Sequence, residues 1–205
     1  MPQLVVLARR PAPGRGKTRL RGRLAAEACA RLQARLLEHT LAVAGAWAAE
    51  TGGTVRLQLA AAGPRSCGRP PWRPWRTRPQ GRGGLGLRLQ RALVTARRHG
   101  DRAVLLIGAD LPDLAVQDLL LAGELLQQRP LVLGPAADGG YWLLGVAGSV
   151  PTAMAGGRLF SGMPWGGDQV LATTRARAEA LGLAVGLLRW ARDLDRPADL
   201  MPWLA

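Results

Sequence analysis

Five short clusters hold most of the side chains in this sequence that could handle a phosphorylated ligand. They are "RRPAPGRGKTRL" at 9–20, "GADLPDL" at 108–114, "GPAADGGYWLLG" at 134–145, "WGGDQVLATT" at 165–174 and "RDLDRPADL" at 192–200. The first contains Gly16, Lys17 and Thr18, the residues that close a phosphate-cradling P-loop, but Pro11 stands where that motif needs its first glycine. The strict pattern is absent. What remains is a Pro/Gly turn followed by Lys17 and Arg19, two cations suited to a di- or triphosphate. Lys17 is also the only lysine in a chain with 28 Lys and Arg residues. Where arginine fills nearly every basic position, the one retained ammonium marks a place where a compact point charge does not exchange for a planar fork.

The acidic clusters supply the other half of such a site. Asp110 ends an apolar run, where a carboxylate is costly unless it is paired, hydrogen-bonded or bound to a metal; the metal is the preferred reading. Asp193 and Asp195 are natural partners for a shared Mg²⁺ or Mn²⁺, because such ions are held by one or two carboxylates plus substrate phosphates. The competing role for these residues is capping: Asp110 or Asp113 for a helix starting near Leu114, Asp195 for a last helix at "RPADL". Asp138, followed by Gly139 and Gly140, fits a loop that accepts sugar hydroxyls or assists a nucleophile as a base, and fits a tight Asp-Gly hairpin equally. Asp168 reads as the N-cap of the helix that follows it. His39 and His99 lack partners at catalytic spacing, and Cys29 and Cys67, without metal-ligand spacing, read as free thiols.

These clusters need elements to hold them. Apolar runs at Leu4–Leu7, Val55–Leu59, Ala103–Ile107, Leu131–Leu133, Trp142–Val146 and Val185–Leu188 predict strands buried on both faces. Helical spacing covers Thr18–Trp47, Leu85–Arg98, Ala115–Gln128 and Asp168–Leu181, so strands and helices alternate. The pattern predicts a three-layer α/β domain, residues 1–205, with a mainly parallel central sheet. Ligands of such sheets bind beyond the carboxyl ends of the strands, which is where the clusters fall. Residues 61–83 carry too much Pro, Gly and Arg for a regular element and read as a long loop.

A formal net charge of +14 points toward nucleic acid or an anionic surface, and Trp72 and Trp75 among arginines resemble a stacking surface for single strands. Because the arginines are spread over every segment, compositional bias explains the charge as well as a binding face does, and a solvated loop is the preferred reading of the tryptophans. No apolar stretch reaches the roughly 20 residues that span a bilayer. The expectation is a cytoplasmic protein with small-molecule partners and no membrane.

The five clusters, in this order, resemble a bacterial family of arsenosugar-biosynthesis-type glycosyltransferases within the nucleotide-diphospho-sugar transferases of GT-A type. The resemblance spans nearly the whole chain. It implies a Rossmann-like α/β fold, a nucleotide-sugar or nucleoside triphosphate substrate with a small-molecule acceptor, and a divalent metal at Asp110. On that basis Lys17, Asp110 and Asp138 are the catalytic candidates, and Asp110, Asp193 and Asp195 the metal ligands. Pro13, Gly14, Lys17, Arg19, Gly139, Gly140, Tyr141 and Trp165 are the substrate-facing set. The chain departs from the family at Gly84 and Leu87, where acidic residues are common, at Leu111, where a cysteine is common, and at Gly167, where a hydroxyl residue is common. "GKTRL" is also close to the "AKSRL" of 2-phospholactate guanylyltransferases. That likeness opens nucleotidyl transfer to a small phosphorylated or acidic acceptor as the alternative to glycosyl transfer.

Overall fold

The computed structural model describes residues 2–60, 75–100 and 102–203. Its described strands are β1 (Gln3–Ala8), β2 (Thr54–Leu59), β3 (Thr77–Pro79), β4 (Val104–Ile107), β5 (Leu131–Pro135), β6 (Tyr141–Val146) and β7 (Val185–Leu187). They join one sheet in the order β3-β2-β1-β4-β6-β5-β7. All pairings are parallel except those of β6, which runs against both β4 and β5. Among the described strands the parallel run is therefore interrupted at β6 alone. Five residues link β5 to β6, far fewer than the dozen or more that a parallel crossover needs, so the chain turns back on itself. An apolar run such as Trp142–Val146 reads the same in either direction, and its sense is set by the turn.

Helices α1 (Ala26–Thr51) and α3 (Val116–Gln128) cover one face of the sheet, where Leu37, Leu41 and Trp47 pack with Leu119 and Leu126 on Leu4, Val6 and Leu105. On the other face lie α2 (Leu85–Ala96), the short α4 (Thr152–Met154), which runs on as a wider π turn through Leu159, and α5 (Val170–Ala180). Leu89, Leu93, Leu159 and Leu171 pack there on Val5, Leu106 and Leu144. This is the three-layer α/β arrangement that the alternation predicts.

Three expectations change. The first long helix begins at Ala26, not at Thr18; residues Thr18–Leu20 form a separate 3₁₀ turn. The reason is the anchor at its end: Leu20 is fully buried with Cys29, Leu36, Leu194 and Leu200, which ties the turn to the last loop of the chain. Within the segment 61–83, whose residues 61–74 lie outside the described residues together with Cys67 and Trp72, Thr77–Pro79 pairs in parallel with β2 as an edge strand. Proline is tolerated at an edge, where its missing N–H costs no ladder bond. Trp75 is half-buried and packs against the α1 side of the core, so it is no free stacking surface. The capping assignments also move. Asp118 accepts the Ala115 N–H at 2.9 Å, and Asp199 accepts the N–H groups of Asp195 and Arg196 at 3.1 and 2.7 Å. The helix after Asp168 starts at Val170 with no side-chain cap.

Candidate active site at the carboxyl edge of the sheet

The loops that leave β1, β4, β5 and β7 meet over the carboxyl ends of the parallel strands and enclose a cleft of about 1000 Å³. Its centre is Lys17. The residue sits in the left-handed region, φ 52° and ψ 35°, and is the one non-glycine with positive φ among the described residues. That conformation costs a side-chain-bearing residue about 1–2 kcal/mol. It carries the ammonium inward, where Nζ donates to the Leu194 carbonyl at 2.5 Å, lies 2.6 Å from Asp110 Oδ1 and reaches Asp195 Oδ1 at 3.8 Å. Leu194 in turn donates its own N–H to the Asp110 carbonyl at 2.9 Å. Strain held in place by a charged network is a mark of a working site.

The preceding residue is fixed by a different contact. A Cβ on Gly16 would fall 1.7 Å from the carbonyl oxygen of Gln33, a buried α1 residue whose amide donates to the Arg9 carbonyl at 3.3 Å. One glutamine thus touches both ends of the loop. Nothing in the sequence singles it out, because its role depends on a helix packing under a loop 17 residues away.

Arg19 pairs with Asp195 at 2.7 Å on the exposed side of Lys17. Asp138 lines the cleft from the β5–β6 turn, where its Oδ1 also accepts the Gly140 N–H at 2.9 Å. Asp138 is thus the tip of the hairpin that the Asp-Gly pair predicts, and its side chain also faces the cleft. Half-buried Asp193 is pushed up to about 7, first by loss of water and then by the charges of Asp110, Asp138 and Asp195, with Lys17 opposing. Five carboxylates, Asp199 included, line this edge beside one buried ammonium.

Of the sequence-derived site residues, Lys17, Arg19, Asp110, Asp138, Asp193 and Asp195 come together on the cleft wall. Pro13 and Gly14 form the outer turn of the first loop, away from the lining; Arg21 donates to the Gly14 carbonyl at 2.5 Å. Gly139 answers to packing: it has φ 87°, and a Cβ there would fall 2.0 Å from the backbone oxygen of Asp168. Trp165 stacks edge-on against Tyr141 with ring centroids 6.3 Å apart, and burial pushes the Tyr141 phenol above its ordinary value. Arg9, Arg88, Arg192 and Arg196 add an unforeseen cationic rim to the cleft, and Gln80, which donates to the Ala8 and Gln58 carbonyls, closes its floor. Asp113 is drawn away to Arg189 at 2.9 Å.

Among the described residues no three His, Cys, Asp or Glu side chains are gathered tightly enough to hold a metal ion alone. The donor set nevertheless fits a hard divalent cation completed by phosphate oxygens, since Asp110, Asp138 and Asp195 lie close enough to Asp193 to oppose its ionisation.

Residues 40–167 match the family model described as "Uncharacterized protein conserved in bacteria (DUF2064)". The chain belongs to the DUF2064 family. This DUF2064 chain is 34% identical to the 3-phospho-D-glycerate guanylyltransferase of Phenylobacterium zucineum (strain HLK1), over 85% of its own length and 77% of the relative's. Its fold matches the crystal structure of a nucleotide-diphospho-sugar transferase from Desulfovibrio desulfuricans G20 with a TM-score of 0.80 and 25% identity, covering 97% and 84% of the two chains. The manganese complex of Rv0371c from Mycobacterium tuberculosis H37Rv shares the fold, with a TM-score of 0.50 and 16% identity over 98% of both chains. The DUF2064 protein is a transferase with the fold of nucleotidyl and nucleotide-sugar transferases. The broader level of the resemblance is the one these likenesses establish; the arsenosugar-specific level is not. None of the helices among the described residues is long and apolar enough to cross a membrane.

Proposed function

We propose that the protein is a metal-dependent nucleotidyltransferase that moves a nucleoside monophosphate from a nucleoside triphosphate to a small phosphorylated acceptor. The observation that carries this reading is the strained, buried Lys17 set among the carboxylates of the cleft, in a chain 34% identical to a guanylyltransferase. The relative shifts the choice from attack at a sugar carbon, the leading expectation from sequence, to attack at phosphorus.

In this reading Lys17 and Arg19 bind the triphosphate, and Arg9, Arg88, Arg192 and Arg196 gather anionic groups at the rim. Lys17 donates to the oxygens on which charge builds as the bond to pyrophosphate breaks, and it is already oriented by Leu194 and Asp110, so little reorganisation is needed. Asp110 and Asp193 would hold a Mg²⁺ or Mn²⁺, which supplies charge neutralisation at the α-phosphate and the leaving pyrophosphate. Asp195, engaged by Arg19, positions that arginine. Asp138 stands where it can accept a hydroxyl of the nucleotide or of the acceptor.

The test is product analysis with Mn²⁺, a panel of nucleoside triphosphates and a panel of small phosphomonoesters as acceptors, 3-phospho-D-glycerate among them. Pyrophosphate release that requires both substrates is expected. Release of a nucleoside diphosphate from a nucleotide-sugar, with the sugar found on an acceptor, would instead restore glycosyl transfer, the reading that the likeness to the Desulfovibrio structure favours.

A further inference from the structure

A second cavity, of about 240 Å³, opens beside the main cleft toward α2. The two share Leu7, Leu85, Asp110 and Asp193, so the annex joins the cleft at the carboxylates rather than elsewhere on the surface. Beyond that neck its wall is hydrocarbon and aromatic, including Leu89, Leu111, Leu114 and Tyr141. Among the described residues its only charged lining groups are the two aspartates of the neck, with no Lys, Arg or His. Leu85 stands at the junction and is 43% exposed, a large apolar side chain presented to solvent at the mouth of a charged cleft. An anion entering the annex would meet carboxylates and gain no cation, whereas an uncharged hydrocarbon would replace water on apolar surface. An apolar cavity of about 150 Å³ is enough to take a benzene ring. The annex is larger.

We propose that the annex receives the hydrocarbon part of the acceptor, and that the acceptor is a phosphomonoester whose uncharged carbon segment has about six carbons. This rests on the nucleotidyl-transfer reading and narrows its acceptor. The phosphate of the acceptor lies in the main cleft with the cations, and its chain passes the Leu85 neck. One of its unprotonated oxygens forms a bond to the α-phosphorus, the bond from that phosphorus to the bridging oxygen breaks, and pyrophosphate leaves with the electron pair. No proton needs to be removed from the nucleophile. The three-carbon acceptor in the relative's name carries a second anionic group, which this annex disfavours.

The experiment measures dissociation constants of methyl, propyl, pentyl and heptyl phosphate and of 3-phospho-D-glycerate, with Mn²⁺ present, for the native protein and for Leu85→Arg, Leu111→Phe and Leu87→Arg. In the native protein, affinity should rise about fourfold per added methylene and level off once the annex is full. Leu85→Arg should flatten the series and improve 3-phospho-D-glycerate; Leu111→Phe should bring the plateau to shorter chains. Leu87, 51% exposed and outside both linings, should leave the slope unchanged as arginine. A flat native series, or a slope that survives both Leu85→Arg and Leu111→Phe, overturns the proposal. Stabilisation by nucleoside triphosphates is measured on the same samples: its absence would remove the nucleotidyl-transfer reading while the chain-length series still reports on the annex.

Discussion

Two cations in this protein are equally buried, each 7% exposed, at opposite edges of the sheet. Arg97, at the end of α2, donates to the carbonyls of Val150 and Ala147 at 2.5 Å, of Arg102 at 3.1 Å and of Val146 at 3.2 Å. Its partners among the described residues are carbonyls at the end of β6 and in the loops at the amino ends of the parallel strands, and it acts as a pin that draws them together. Lys17, at the carboxyl edge, is held in strained backbone and faces carboxylates in an open cleft. A guanidinium spreads its donors over several fixed acceptors, while an ammonium concentrates its charge where a ligand arrives. Equal burial therefore hides different settings, a backbone pin at Arg97 and, in the proposed reading, a ligand-facing charge at Lys17.

The sharpest way to break this contrast is at Lys17. Lys17→Met should lower kcat about a thousandfold, which corresponds to about 4 kcal/mol of transition-state stabilisation, while leaving Tm within a few degrees. Lys17→Arg should fall nearly as far, because the bulkier fork cannot take the place of an Nζ lying 2.5 Å from one oxygen and 2.6 Å from another. A Lys17→Met protein that loses stability but keeps its turnover would reverse the assignment. At the other edge the expectation inverts: Arg97→Met should cost about 3 kcal/mol of stability by removing the buried guanidinium's hydrogen bonds to these carbonyls. Thermal unfolding would read that as a Tm lower by about 6–12 °C, with kcat per folded molecule unchanged.

Smaller effects sharpen the picture within the catalytic edge. Gly139→Ala combines a positive φ with a Cβ driven into the backbone of Asp168, and should cost about 2 kcal/mol in denaturant unfolding. A further expectation concerns the pH dependence of metal-free protein. Asp193 titrates at about 7 in the folded protein against 3.8 as its ordinary value. Between those pH values the native state holds a proton that the unfolded chain has released, so stability falls as pH rises through the window and levels off above it. Asp193→Asn should flatten that slope in a pH series of unfolding curves run with a chelator; an unchanged slope would place the titrating group elsewhere.

How much of this was legible before any coordinates depended on range. The strands, the helices on either side of them and the clustering of Lys17, Asp110, Asp193 and Asp195 at one edge follow from local apolar periodicity and from the rule that places ligands beyond strand ends. The antiparallel sense of β6, the edge strand β3 and the turn between Lys17 and α1 did not, since each is decided by what the segment packs against. Capping went astray for the same reason: several aspartates stand near each helix start, and only the folded chain decides whether Asp113 turns to Arg189 and leaves Asp118 to cap. Gln33 and Arg88 lie outside the five clusters, and Arg9, Arg192 and Arg196 lie within them without a spacing that marks them as a rim.

The sequence by itself determined the layers of the fold, the edge on which the charged clusters gather and the single lysine at its centre, because residue type and short-range spacing encode all three. Tertiary structure alone decided that this lysine is strained, buried and shared among carboxylates, and that an apolar annex opens beside it. Those features arise from contacts between segments more than 90 residues apart, such as Lys17 with Asp110 and with Leu194, where electrostatics and packing act through space and leave no local pattern in the chain.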